Sequence, residues 1–138
     1  MQTSADVLYL DSSALVKLVN QEPESEALGR FLDAQRDRTR VSSRLARVEV
    51  LRAARARGPR MVARARLLLD DMRLLGLYDE ILDAAAELDG PGLRSLDAIH
   101  LASALALGSA LSAVVTYDRR MAGAAERLGL AVVAPGSG

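Results

Sequence analysis

Four acidic residues, Asp11, Glu49, Asp97 and Asp118, carry the chemistry this chain could do. Asp11 directly follows the apolar run Val7-Leu8-Tyr9-Leu10, and Asp118 comes just after Ala113-Val114-Val115-Thr116. In open parallel sheets, sites form beyond the carboxyl ends of the strands. Singly, each Asp has an ordinary account. Asp11 and Asp118 could cap the helices that follow them. Asp97 could answer the positive end of a helix capped by Ser95. Glu49 is harder to explain this way. At about 100° per residue, Arg44, Arg47 and Arg55 gather on one side of its helix, while Glu49 falls among Leu45, Ala46, Ala53 and Ala56. A carboxylate reaching inward there needs a cation, either Arg52 one turn on or a metal.

Together the four make a stronger case. Gathered carboxylates repel one another, and a hard divalent cation such as Mg²⁺ relieves that repulsion through oxygen ligands. Such an ion polarises a phosphoryl oxygen or activates water, which phosphodiester hydrolysis requires. Ser12 and Ser13 follow Asp11, and Thr116 precedes Asp118 by two residues. These hydroxyls could orient the acids or act as turn hydroxyls. His100, the only histidine, stands one turn after Asp97; it could act near the site, though an isolated histidine on a helix is more often a packing or surface group.

The elements that must position these residues alternate. Strands are expected at 7–10, 40–42, 77–81, 113–116 and 131–133. Helices are expected at 12–20, 24–35, 43–57, 60–75, 82–88, 95–107 and 119–128, with a turn at 89–92. That order predicts one α/β domain over residues 1–138, a three-layer α/β/α sandwich around a mostly parallel sheet.

Composition narrows the function classes. The chain lacks cysteine, which excludes disulfides and zinc–thiolate sites. No apolar run approaches the roughly 18–20 residues of a membrane span. Residues 1–6 lack the basic start and apolar stretch of a signal peptide, so a cytoplasmic protein is expected. Net charge is zero, yet residues 36–66 carry eleven Arg and two acids. That block is either a phosphate-facing surface or a solvated face paired with the acidic segments.

Four segments resemble one known family in order and spacing. Tyr9-Leu10-Asp11-Ser12-Ser13-Ala14-Leu15-Val16-Lys17 closely resembles the opening of PIN domains. Ser43-Arg44-Leu45-Ala46-Arg47-Val48-Glu49 resembles their second acidic motif, Leu96-Asp97-Ala98-Ile99-His100-Leu101-Ala102-Ser103-Ala104 the third, and Val115-Thr116-Tyr117-Asp118 the fourth. The match runs from residue 7 to about 134. The resemblance implies a PIN fold whose acidic pocket binds Mg²⁺ or Mn²⁺ through Asp11, Glu49, Asp97 and Asp118. Among small PIN domains the chain looks most like VapC toxins of toxin–antitoxin modules. These are endoribonucleases, often aimed at tRNA or rRNA, that form homodimers and are neutralised by a VapB antitoxin.

On this basis the expected reaction is metal-dependent hydrolysis of RNA, with Arg44 and Arg47 as candidate backbone contacts. The Ala-rich helical surfaces at 24–35 and 43–75 could accept an antitoxin helix or serve as core. Rival readings are a PIN-like module that binds RNA or a partner without cutting, and a phosphotransfer domain of the receiver or haloacid-dehalogenase kind. The latter resembles Asp-x-Asp after the first strand, where this chain has Ser13. A DNA nuclease is the third.

Overall fold

A computed structural model describes residues 5–137, so most of the segment examined for a leader lies outside the described residues. Val7–Leu10 forms strand β1, followed by helices α1 (Ser12–Val19) and α2 (Ser25–Ala34). Strand β2 (Thr39–Ser43) leads into α3 (Leu45–Arg55) and α4 (Pro59–Asp70). A short strand β3 (Arg73–Leu75) precedes α5 (Asp79–Ala86) and α6 (Ser95–Leu105). Strand β4 (Leu111–Val115), helix α7 (Arg119–Arg127) and strand β5 (Val132–Val133) complete the order.

The five strands lie in the order β3-β2-β1-β4-β5, and every pairing is parallel. The chain therefore winds outward from β1 in one direction, then crosses back to start again at β4. A crevice opens at the carboxyl ends of β1 and β4, where the winding reverses. The alternation of β1 sorts its side chains. Leu8 and Leu10 pack with α1 to α4 on one face, along with Ala113 and Val115 of β4. Tyr9 and Val114 point to the other face, against Ala104 of α6 and Met121 of α7. Small residues let that second layer sit close, as Leu101 of α6 meets Ala124 and Ala125 of α7. Helix α5 rests on α6 through Ala85, Ala98 and Ala102.

Two expectations in the middle of the chain are corrected. The helix expected over 60–75 ends at Asp70, and its last residues form the edge strand β3, paired with β2 through Val41–Arg73 and Ser43–Leu75. The strand expected over 77–81 does not exist. Asp79 and Glu80 instead occupy the first turn of α5, where acidic side chains favour a helix start. Gly58, at φ +109°, makes the tight turn between α3 and α4, and Pro59 then opens α4 where its missing N–H costs nothing. No helix among the described residues is long and apolar enough to cross a membrane.

Candidate active site

The carboxyl ends of β1 and β4 lie side by side, with Leu10 opposite Val115 and the Asp11 N–H donating to the Val115 carbonyl at 3.3 Å. This register brings Asp11 and Thr116 together although 105 residues separate them. Asp11 is the N-cap of α1 and is only 3% exposed. Its Oδ1 accepts from the Ser13 hydroxyl at 2.6 Å and from the Ala14 N–H at 3.1 Å, and its Oδ2 accepts from the Thr116 hydroxyl at 2.5 Å. Burial pushes the Asp11 carboxyl above its usual pKa, with Ser13, Thr116, His100 and Ala14 pulling the other way. Thr116 Oγ1 also accepts from the Asp118 N–H at 3.0 Å, so one hydroxyl ties the Asp11 carboxylate to the Asp118 backbone.

Asp118 caps α7, its Oδ1 accepting from the backbone of Arg120 at 2.9 Å and of Met121 at 3.4 Å. Asp97 sits in the first turn of α6 and reaches back to accept from the Arg94 N–H at 3.2 Å. The capping accounts available for Asp11 and Asp118 are therefore correct as geometry. They also fix where those carboxylates stand. Glu49 projects from the middle of α3 with its Oε1 2.7 Å from His100 Nε2.

Glu49, Asp97 and Asp118 line one open cleft of about 540 Å³, together with Ser12, Arg94, Ser95 and Leu96. Asp11 lies buried immediately behind Ser12. The carboxylates share this cleft without converging. Among the described residues no group of three or more histidine or acidic side chains stands close enough to hold a metal ion. The donor set nonetheless suits a hard cation. It is made of carboxylate oxygens, and no lysine or arginine ion pair involves Glu49 or Asp97 among the described residues.

The remaining expected residues fall outside the cleft or in new roles. Arg44 is exposed at the start of α3, and Arg47 lies 3.8 Å from Asp70 of α4; neither lines the cleft. The arginine that does is Arg94, and Arg120 stands 3.8 Å from Asp118. A second open recess of about 440 Å³ is lined by Arg52, Arg55 and Ala56. Arg52 and Ala56 share the Glu49 side of α3, so this recess lies about 5–10 Å further along the same helix edge. The hydrogen-bond partner of Glu49 is His100 and not Arg52, and His100, at 3% exposure, is a buried link rather than a surface group. The Ala-rich faces at 24–35 and 43–75 are mostly core, through Leu28, Leu32, Val50 and Leu69, leaving Val48 and Leu67 exposed.

Known proteins resemble this chain in sequence and in fold. The model of the PIN domain family matches residues 8–127. The chain is 49% identical over 128 residues to Ribonuclease VapC46 of Mycobacterium tuberculosis, covering 93% of this chain and 97% of that one. It is 46% identical to Ribonuclease VapC35 of the same species over 132 residues, covering 94% and 98%. The fold is also that of a crystal structure of M. tuberculosis VapC20, titled a sarcin–ricin loop cleaving toxin. That match has a TM-score of 0.75 at 18% identity and spans 93% of this chain and 99% of that one. The chain belongs to the PIN-domain family, among its VapC ribonucleases.

Proposed function

We propose that this chain is a metal-dependent endoribonuclease toxin, hydrolysing RNA phosphodiesters in the cleft between β1, α3, α6 and α7. The observation that carries the reading is that Glu49, Asp97 and Asp118 line one cleft, with Asp11 at the adjoining strand end. These four residues would hold Mg²⁺ or Mn²⁺, which supplies an activated water and charge neutralisation at the scissile phosphate. Three of the acids are held by neighbouring groups of the chain. Ser13 and Thr116 hold Asp11, the Arg94 N–H holds Asp97, and the N-cap bonds of α7 hold Asp118. Ser12 lines the cleft beside them, where its hydroxyl can orient a bound water.

RNA is positioned by its backbone. Arg94 contacts phosphate inside the cleft, and Arg52 and Arg55 receive the strand as it leaves along α3. These arginines replace Arg44 and Arg47 as the preferred contacts, because they border the two open recesses. With three tyrosines, one phenylalanine and no tryptophan, the chain has few stacking platforms, so shape and charge dominate recognition. The relatives' names point to a VapB-type antitoxin as partner, and tRNA and rRNA are the first substrates to try.

The phosphotransfer reading fails on the residues that follow Asp11 and on the family match. Ser13 stands where the haloacid-dehalogenase kind has its second Asp, and the family model that matches residues 8–127 is that of the PIN domain. The deciding experiment incubates antitoxin-free protein with total tRNA and rRNA in Mg²⁺, Mn²⁺ or EDTA, beside Asp97→Asn. Discrete metal-dependent fragments that vanish in the variant are expected. The variant keeps an amide oxygen to accept from Arg94, so the fold survives. Metal binding without cleavage of either RNA by wild type would favour the binding-only module.

A further inference from the structure

A line of polar groups runs through the interior from the sheet to the cleft. Tyr9 is fully buried on β1, and its hydroxyl lies 2.8 Å from His100 Nδ1. The rings meet edge to face, with centroids 5.9 Å apart and planes at 72°. On the other side of the imidazole, Nε2 lies 2.7 Å from Glu49 Oε1. An ionised carboxylate only accepts, so Nε2 carries the hydrogen. In the neutral ring Nδ1 then accepts, and the Tyr9 hydroxyl donates to it. The chain of bonds has one direction, from Tyr9 through His100 to Glu49. The Glu49 carboxylate takes no other hydrogen bond or ion pair among the described residues.

We propose that His100 is a positioning residue: anchored by Tyr9, it fixes the rotation of the Glu49 carboxylate, committing Oε1 to the protein and leaving Oε2 for a metal in the cleft. Glu49 needs such a clamp. It has three rotatable side-chain bonds, is 23% exposed, and stands beside Ala46 and Ala53, which are too small to confine it. His100 itself is too buried to touch RNA, so it acts only through Glu49. The inference rests on the reading of the cleft as a metal-dependent nuclease site.

Two measurements test it. His100 is the only histidine, so ¹⁵N NMR of the untagged, metal-free protein shows a single imidazole. The expected signature is a protonated Nε2 and an unprotonated Nδ1; the opposite tautomer overturns the proposal. The second is Mn²⁺ binding by calorimetry to wild type, His100→Leu, His100→Gln, Tyr9→Phe and Asp97→Asn, with melts in EDTA to verify folding. Removal of a partner that orients a metal ligand costs about 10–100-fold in metal affinity. His100→Leu is expected to show that loss. His100→Gln, whose amide N–H can stand near the Nε2 position, is expected to recover most of it, and Tyr9→Phe to lose a smaller part. Should His100→Leu fail to fold, Tyr9→Phe and His100→Gln carry the decision. Unchanged Mn²⁺ affinity in the folded variants, with Asp97→Asn impaired, overturns this proposal alone. Absence of Mn²⁺ binding by wild type overturns the nuclease-site reading beneath it as well.

Discussion

Replacing Thr116 by Val removes one oxygen from the centre of the site and leaves its shape nearly unchanged. The Thr116 hydroxyl donates to Asp11 Oδ2 at 2.5 Å and accepts from the Asp118 N–H at 3.0 Å. A hydrogen bond to a charged group contributes about 1.5–3 kcal/mol, and stranding the Asp118 N–H adds about 1 kcal/mol. The new methyl, at a fully buried position, returns about 0.8 kcal/mol. The net loss is about 2–3 kcal/mol, or roughly 10 °C in Tm for a domain of this size. The loss must also depend on pH. The hydroxyl stabilises the ionised carboxylate, so its removal raises the Asp11 pKa still further above the usual value. Stability tied to a hydrogen bond with the charged form is present where Asp11 is ionised and fades as acid protonates it. Urea unfolding in EDTA at about pH 8 should therefore show the full gap, and at about pH 4 a gap nearer 1 kcal/mol. A variant within about 0.5 kcal/mol of wild type at both pH values would refute the assignment of Thr116 as the donor that sustains Asp11.

Burial raises the Asp11 pKa, so this group contributes stability below the usual carboxylate range and loses it as pH rises through the folded value. Metal-free Asp11→Asn should escape that loss and match or exceed wild type above the window, as seen in urea midpoints against pH. Added Mg²⁺ or Mn²⁺ should raise the wild-type Tm by a mass-action increment that Asp11→Asn lacks, measured by scanning calorimetry. Arg52→Ala and Arg55→Ala should weaken RNA binding and lower the slope of log affinity against log salt by about 1 each, in filter-binding assays on the Asp97→Asn background. Leu101→Ala, fully buried between α6 and α7, should cost about 2–5 kcal/mol of stability without shifting the metal requirement of cleavage.

The parts of the fold that were legible in the sequence share a physical cause. Leu8, Tyr9 and Leu10 form a short continuous apolar run because β1 is buried on both faces, and the acids at its end and after β4 follow from parallel-sheet geometry. Strand β3 escaped because Met72, Leu74 and Leu75 prolong the apolar spacing of α4, and three residues on a sheet edge carry no periodicity of their own. The expected strand at 77–81 gave too much weight to Leu77 and Tyr78 and too little to the acidic first turn that begins at Asp79. His100 escaped for a different reason. Residues 100–104 of α6 are buried without a gap, so the helix lacks a polar face against which an inward histidine would stand out. Asp97 and Glu49 were visible as acids, whereas their holders, the Arg94 N–H and the His100 ring, belong to tertiary structure.

The pairing of β1 with β4 also sets the order of events while the chain is being made. Asp11 emerges from the ribosome 105 residues ahead of its stabilising partner Thr116. Until residues 111–118 are free to lie beside residues 7–11, the cleft lacks Asp118 and the Thr116 hydroxyl, and β1 has no neighbour on one side. An active site assembled from segments so far apart in sequence is completed only when the later segment has emerged and docked. A nascent nuclease of this design therefore holds an incomplete site until residues 111–118 dock beside β1.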